Sequence, residues 1–169
     1  MKNKLMTLAL ALSCGIAFAQ HDQAGHDQNK AQATAATFKD AKLGTAYTLY
    51  LKVKDALVAS KADDAKKAAG ELQKALKDLK GSTDALAATI KLAGASDLEE
   101  QRLLFSVVSN EMTALVKGGQ LSAGALYLEY CPMANGNEGA YWLSNEKQIK
   151  NPYFGDKMLK CGSVKETIQ

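Results

Sequence analysis

Cysteine and methionine stand together twice in the second half of the sequence. Cys131 and Met133 belong to the stretch YCPMANG, and Met158 and Cys161 belong to DKMLKCG. Thiolate and thioether sulfurs are soft donors, and a set of both kinds selects Cu(I) over hard or borderline metal ions. If the fold brought these four side chains together, they would form a site for a soft metal.

Local geometry favours each half of such a site. Met158 and Cys161 are three residues apart and would share one face of a helical turn. Cys131 and Met133 are two residues apart and would point the same way if the chain there is extended, as a residue before proline tends to be. The sequence therefore allows a nest of two cysteines and two methionines.

A disulfide between Cys131 and Cys161 explains the same pattern without a metal, with Met133 and Met158 packed nearby. Closing a loop of about 30 residues stabilises a folded chain by about 3–4 kcal/mol through the entropy of the unfolded state. On the residues alone, both the metal site and the disulfide remain open.

Other chemistry has little support in this sequence. The two histidines, His21 and His26, lie in a polar N-terminal stretch, where they would be accessory metal ligands. A zinc site with four Cys or His ligands is therefore not expected in the rest of the chain. The C-x-x-C, C-x-x-C-H, G-x-S-x-G and H-E-x-x-H motifs do not occur, so the sequence does not predict an enzyme.

The first residues have the pattern of a secretory signal peptide, residues 1–19. Two lysines precede an apolar run that is too short for a membrane-spanning helix and ends in the small-residue sequence AFA. A lipid anchor on Cys14 is the alternative, but Ala11 stands where lipidated cysteines have a larger aliphatic residue. We therefore expect a periplasmic or secreted protein, without a transmembrane segment once the signal is removed.

The net charge argues against binding to nucleic acid or to an anionic membrane. Removing residues 1–19 takes away two of the 21 basic residues and none of the 18 acidic ones, which leaves a charge of +1. The remaining chain is long enough for one domain with a hydrophobic core. It keeps two cysteines in a compartment that permits disulfides.

Four segments of the chain have helical periodicity. Residues 20–36 lack apolar periodicity, and we interpret them as a disordered tail. From Phe38 onward, apolar residues recur at three- and four-residue steps, with polar or glycine breaks between the segments. In SDLE, Ser96 would cap the last helix and Glu99 would return the bond, a capping box. We expect a mainly all-α fold, an up-down four-helix bundle in residues 37–118.

The composition changes after residue 118. Both prolines, the single tryptophan and six of the eleven aromatic residues fall between residues 127 and 154. LYLEY alternates and is followed by Asn-Gly turn chemistry and AYWLS, which favours a short β-hairpin. Because an isolated hairpin is marginal in water, we expect residues 119–169 to be a turn-rich segment packed on the bundle, so that residues 37–169 form a single domain.

Three long stretches together resemble a bacterial domain family of unknown function. They are YLKVKDALVASKADDAKKAAGELQKAL, QRLLFSVVSNEMTALVK and YCPMANGNEGAYWLSNEKQIKNPYFGDKMLKCGSV. The family is found as stand-alone secreted proteins and attached to periplasmic adaptor subunits of heavy-metal (copper or silver) efflux systems. The likeness extends over nearly all of residues 38–168, and its most specific elements are CPMA, WLS, NPYFG and MLKCG.

The resemblance implies a helical periplasmic domain in a metal-handling context. The ligands that it implies are Cys131, Met133, Met158 and Cys161, within a frame formed by Trp142, Asn151, Pro152, Tyr153 and Gly155. The function indicated is Cu(I) binding or copper handling, with a periplasmic metal-efflux or metal-trafficking component as partner. The alternative is a disulfide-locked helical module that binds no metal and docks on a periplasmic partner.

Overall fold

The computed structural model describes residues 36–169. The signal peptide with Cys14 and the tail with His21 and His26, both expected from the sequence, lie outside the described residues, except that Ala36 is included. Within the described part of the chain, none of the helices combines the length and the apolar composition needed to cross a membrane.

Four helices form the body of the domain. They are α1 (Ala41–Val58), α2 (Ala62–Lys77), α3 (Thr83–Gly94) and α4 (Leu98–Gly118). Each helix packs against the next one along the chain, and α4 returns to pack against α1. The connections between them are short, as is typical of neighbouring helices in a bundle. The mainly helical fold predicted from the apolar periodicity is confirmed.

The core follows the apolar stripes that the sequence shows. In α1, Tyr47, Tyr50, Val53 and Leu57 recur at three- or four-residue steps and are almost completely buried. The other helices contribute Leu72, Leu76, Leu92, Phe105 and Met112 to the same cluster. Met112 fills the core of the bundle, so a metal site with thioether ligands would have to use Met133 or Met158.

Helix α1 begins slightly later than the periodicity predicts. The pattern starts at Phe38, but Thr37–Phe38 form a strand, β1, which pairs antiparallel with β2 (Leu121–Ala123). Asp40 caps the helix, because its side chain accepts a hydrogen bond from Lys42 N at 2.8 Å. Phe38 fits the apolar stripe because its ring packs on the helix, 5.4 Å from a tyrosine ring.

The capping box of α4 is shifted by one residue from its prediction. Asp97, and not Ser96, is the N-cap, since its carboxylate accepts a hydrogen bond from Glu100 N at 2.9 Å. Glu100, and not Glu99, reaches back across the start of the helix, and its carboxylate accepts a hydrogen bond from Ser96 N, one residue before the cap, at 2.7 Å. The sequence SDLEE contains two overlapping boxes, and aspartate caps a helix as well as serine does, so spacing alone cannot choose between them.

The chain after β2 forms a three-stranded antiparallel sheet. Its strands are β3 (Leu126–Cys131), β4 (Ala140–Ser144) and β5 (Ser163–Ile168), with β3 in the centre. The predicted hairpin is confirmed: β3 pairs with β4, and α5 (Ala134–Asn137) in their connection has three successive residues at positive φ, 52°, 66° and 76°. The sequence does not predict β5, because SVKETI is mostly exposed and lacks a clear apolar alternation.

Two tyrosine hydroxyls form hydrogen bonds along the outer edge of β4, one from the bundle and one from the loop before Cys161. Tyr50 OH on α1 accepts a hydrogen bond from Leu143 N at 3.0 Å, and Tyr153 OH donates to Tyr141 O at 2.5 Å. Phe105 on α4 packs between the two tyrosine rings, 5.3 and 5.9 Å from their centroids. Backbone groups that an edge strand would leave unpaired are thus satisfied by side chains.

Candidate functional site

Strand pairing brings the two cysteines together. Cys131 is the last residue of β3, and Cys161 lies just before β5. Tyr130 pairs with Ser163 in the antiparallel register, so the chain positions beyond these two residues are adjacent. The Sγ atoms of Cys131 and Cys161 are 2.8 Å apart. The two thiols that the sequence singles out are therefore neighbours in the folded chain.

Gly162 makes this approach possible. Its φ of 138° lies in a region that glycine favours. A Cβ at this position would be 2.8 Å from Trp142 Cη2 and 2.9 Å from Tyr130 O. Any side chain here would push the start of β5 away from the indole ring. Close packing therefore requires glycine at the position after Cys161.

Asn151 holds the loop that leads to Cys161. Its side chain is completely buried, and Nδ2 donates a hydrogen bond to Cys161 O at 2.8 Å. Oδ1 accepts a hydrogen bond from Tyr153 N at 2.8 Å, and the backbone N donates to Leu159 O at 2.9 Å. One buried amide therefore sets the backbone position of the second cysteine.

Arg102 ties the same loop to the bundle. From α4, its Nε donates to Pro152 O at 3.0 Å. Its Nη2 donates to Leu57 O at 3.0 Å and to Ser60 Oγ at 2.9 Å. Gly155, with φ of 57°, leaves room for this contact, since a Cβ there would lie 2.7 Å from Arg102 Nη2. The guanidinium thus connects α4, the end of α1 and the loop.

Two aromatic rings complete the surroundings of the thiols. Trp142 and Tyr153 meet edge to face, with ring centroids 5.9 Å apart. Burial raises the pKa of Tyr153 well above its ordinary value, so the hydroxyl remains protonated and can donate to the sheet edge. The five residues that the family resemblance places around the site all lie on the sheet or on the loop before Cys161.

The thiol pair is shielded on one side and accessible on the other. Cys131 is completely buried, whereas Cys161 is half-buried. The hydrogen bond to Cys131, together with desolvation, raises the pKa of Cys161 to about 11. Cys161 is therefore a protonated thiol at neutral pH, and its thiolate forms only at high pH or when a metal ion displaces the proton.

The two methionines differ in their relation to the thiols. Met158 ends a 3-10 turn, is half-buried, and accepts a hydrogen bond at its carbonyl O from Cys161 N at 3.0 Å. Met133 is 46% exposed and lies in a turn, with φ of −91° and ψ of −7°. The extended conformation considered for residues 131–133 is not found, because Pro132 has no N–H to continue the strand and begins the turn.

Met133 lines a surface cavity of about 740 Å³. The start of α4, the β3–β4 connection and the loop before Cys161 form its walls. Its lining mixes charged and apolar groups, among them Glu100, Arg102, Leu103, Phe154 and Lys157. Neither cysteine lines this cavity. Met133 is therefore close to Cys131 in the sequence, but its exposed side chain faces a separate cavity.

Glu129 is a buried acid that the sequence analysis does not single out. It lies opposite Trp142 in the β3–β4 register and is completely buried. No hydrogen bond of regular geometry reaches either carboxylate oxygen from the described residues. Desolvation raises its pKa to about 8, an effect that the positive charge of Lys54 partly opposes. Strand alternation could have predicted the burial of Glu129 from the sequence, because residues 127, 129 and 131 lie on the same face of the strand.

The donor atoms near the thiols are limited. Within the described part of the chain, no group of three or more His, Cys, Asp or Glu side chains is placed to hold a metal ion. A metal ion bound here would depend on the two thiols, which are soft donors that fit a soft ion.

Comparison with known proteins gives a match over part of the chain. A family model described as "Protein of unknown function (DUF3347)" matches residues 46–124. The matched segment covers most of the helical bundle and ends before β3, so it does not reach either cysteine. No curated protein and no solved structure matches the chain. The match supports an uncharacterised domain family for the bundle.

Proposed function

We propose that this protein binds Cu(I) through Cys131 and Cys161 and takes part in copper handling outside the cytoplasm. The observation that carries the proposal is the convergence of the two Sγ atoms, 2.8 Å apart, where β3 ends and β5 begins. Thiolates are soft ligands that favour Cu(I) over hard metal ions. The proposal is of a binding protein, with no catalytic step.

Binding of a metal ion requires that protons leave the thiols. The thiolate, and not the thiol, is the metal ligand. Because the pKa of Cys161 is raised to about 11, the ion competes with a tightly held proton at neutral pH. The apparent affinity for Cu(I) should therefore increase as the pH rises toward that value.

Met158 is better placed than Met133 to add a thioether donor. It lies one turn from Cys161 and is half-buried, whereas Met133 is exposed at the neighbouring cavity. In this proposal Met158 adds a thioether to the site, and Met133 offers an exposed thioether at the neighbouring cavity. His21 and His26, outside the described residues, remain accessory candidates.

Replacing Met133 and Met158 together by leucine should weaken Cu(I) retention and leave the fold intact. Leucine nearly conserves the volume of methionine, so each substitution should cost less than about 1.5 kcal/mol of stability. Titration of the reduced protein with Cu(I) against a chromophoric Cu(I) chelator measures retention, and the same titration with Zn(II) should show clearly weaker binding.

The matched control is Met112→Leu, the same substitution in the bundle core. It should leave Cu(I) retention unchanged. Of the single variants, Met158→Leu should lose more retention than Met133→Leu. The metal proposal fails if Cys131→Ser and Cys161→Ser retain Cu(I) as well as the unsubstituted protein does.

A disulfide-locked module that docks on a partner is the second candidate. The same 2.8 Å separation favours it, because a Cys131–Cys161 bond would close a long loop between two strands. In that case, protein purified without reductant has no free thiol at these positions. Either Cys→Ser variant would then lower the stability of the oxidised, metal-free protein by about 3–4 kcal/mol.

We propose a periplasmic or secreted location and a metal-efflux or metal-trafficking component as partner. The signal pattern of residues 1–19 supports the location, and the family resemblance supports the partner. The intact mass of the exported protein tests the first point. A chain that begins at Gln20 agrees with it, and a chain with lipid on Cys14 contradicts the soluble form.

A further inference from the structure

We propose that Cys131 and Cys161 form a reversible dithiol–disulfide couple in which Cys161 exchanges with small disulfide molecules and Cys131 resolves the mixed disulfide. The inference concerns the same thiols as the proposed function and rests on it for one consequence, the loss of metal binding in the disulfide form. The exchange chemistry itself involves no metal.

The two sulfurs are already close to bonding distance. Their separation of 2.8 Å exceeds the length of a disulfide bond by less than about 1 Å. The flanking residues Tyr130 and Ser163 are paired between the strands, and Gly162 places no side chain between the strand start and the indole ring. Closing the bond therefore requires the two Sγ atoms to approach by less than about 1 Å.

Accessibility distinguishes the two thiols. Cys131 ends the central strand and is completely buried, so a molecule in solution does not reach its sulfur. Cys161 lies in the loop before β5 and is half-buried. Exchange rates depend on which sulfur an incoming group can reach. Cys161 is thus the thiol that meets the outside molecule, and Cys131 acts only within the protein.

The reaction balances with a small disulfide, R–S–S–R, as oxidant. The Cys161 thiolate attacks one sulfur of the oxidant, which forms a Cys161–S–S–R bond and releases one R–S⁻. The Cys131 thiolate then attacks Cys161 Sγ, which forms the Cys131–Cys161 bond and releases the second R–S⁻. Two electrons pass from the protein to the oxidant, and the two thiol protons pass to solvent or to the released thiolates.

The disulfide form lacks the ligands that the proposed metal site needs. The thiolate is the species that binds a metal ion. Once the bond has formed, neither sulfur is a thiolate, so the disulfide form cannot hold Cu(I) and a reductant restores the binding form.

The test uses the full chain with Cys14→Ser in every variant, so that two thiols are counted. With oxidised glutathione as the probe, Cys131→Ser should keep one glutathionyl group on Cys161, as seen by intact mass. Cys161→Ser should react at least about tenfold more slowly, because its remaining thiol is buried. The protein with both cysteines should lose its two free thiols, keep no glutathionyl group, and regain both thiols with dithiothreitol.

A second measurement does not depend on the folding of the variants. Limiting alkylation of the reduced protein with both cysteines, followed by peptide mapping, should find Cys161 modified before Cys131. Equal modification of the two, or earlier modification of Cys131, overturns the assignment of roles. A lasting mixed disulfide in the protein with both cysteines overturns the resolving step.

Cu(I) binding separates this inference from the proposed function. Retention should be measured on the dithiol and the disulfide forms, and the disulfide form should retain at least about a hundredfold less Cu(I). A dithiol form that binds no Cu(I) defeats the proposed function and leaves the exchange chemistry standing. A dithiol form that binds Cu(I) but does not exchange through Cys161 defeats the inference alone.

Discussion

Glu129 combines complete burial with a carboxyl group that titrates near neutral pH. Its pKa rises from an ordinary value of 4.5 to about 8 in the fold, because desolvation disfavours the charged form. The folded state then binds more protons than the unfolded state between these two values, so stability falls as the pH rises through this window. Glu129→Gln should abolish this fall, which we expect to be on the order of a few kcal/mol.

Urea unfolding of the metal-free protein at pH 5 and at pH 8 measures the effect. Glu138→Gln is the matched control, since Glu138 is exposed in the connection between β3 and β4. The control should keep the pH dependence of the unsubstituted protein. Parallel pH curves for Glu129→Gln and the unsubstituted protein would show that the carboxyl group is solvated or paired in solution.

Gly162→Ala should destabilise the protein and disturb the thiol pair. The added Cβ would lie 2.8 Å from the Trp142 ring at a φ of 138°, which strains the backbone and displaces Cys161. We expect a loss of about 2–4 kcal/mol in thermal or chemical unfolding. Gly70→Ala is the control, because Gly70 lies inside α2 with open space around it and should gain about 0.5–1 kcal/mol. Similar effects of both substitutions would contradict the packing argument.

At the residue scale, the sequence singles out the two cysteines that the fold brings together, but not the residues that position them. Thiols and thioethers carry their chemistry in their side chains, so spacing alone draws attention to Cys131 and Cys161. Asn151 and Arg102 act on backbone carbonyls of distant residues, and such acceptors leave no pattern in the sequence. The prediction that Met133 points the same way as Cys131 assumes an extended chain. The chain instead turns at Pro132, so this assumption does not hold.

At the scale of elements, two hydroxyl groups hold the outer edge of β4, one on α1 and one on the loop before Cys161. Tyr50→Phe would leave Leu143 N without its acceptor, and Tyr153→Phe would leave Tyr141 O without its donor. Each substitution should cost about 1–3 kcal/mol, because a buried backbone group loses its hydrogen bond. Chemical unfolding followed by circular dichroism measures the loss.

Tyr141→Phe serves as the control for these two variants. Tyr141 is 39% exposed on the same strand, so removal of its hydroxyl should change stability by less than about 0.5 kcal/mol. A small effect in Tyr50→Phe and Tyr153→Phe as well would show that water replaces the hydroxyl groups at the sheet edge.

The helices were predictable from the sequence because each carries its own apolar stripe. The β3–β4 hairpin was predictable because alternation and Asn-Gly turn chemistry are local signals. Strand β5 was not, since its partner lies far away in the sequence and its own residues are mostly exposed. The start of α1 and the cap of α4 were misplaced by a few residues, where overlapping local signals compete.

At the scale of the whole molecule, Arg102 links the bundle to the loop before Cys161 by hydrogen bonds. Arg102→Lys keeps the charge but cannot reach Pro152 O, Leu57 O and Ser60 Oγ together. We expect a loss of about 1–3 kcal/mol in unfolding free energy. We also expect alkylation of Cys161 to become several-fold faster, because the loop is released while the helices remain.

Lys157→Met provides the comparison, since Lys157 lines the same cavity from the exposed side of the loop. It should change neither the unfolding free energy nor the alkylation rate appreciably. Faster alkylation in both variants would contradict the assignment, because access to the thiol would then not depend on the link through Arg102.

Trp142 gives the molecule a built-in optical reporter. It is the single tryptophan of the chain, it is completely buried, and Gly162 holds the start of β5 directly against its ring. Sulfur close to an excited indole quenches its emission, and a disulfide does so differently from a thiol. The oxidation state of Cys131 and Cys161 should therefore be readable from intrinsic fluorescence, without any label attached to the protein.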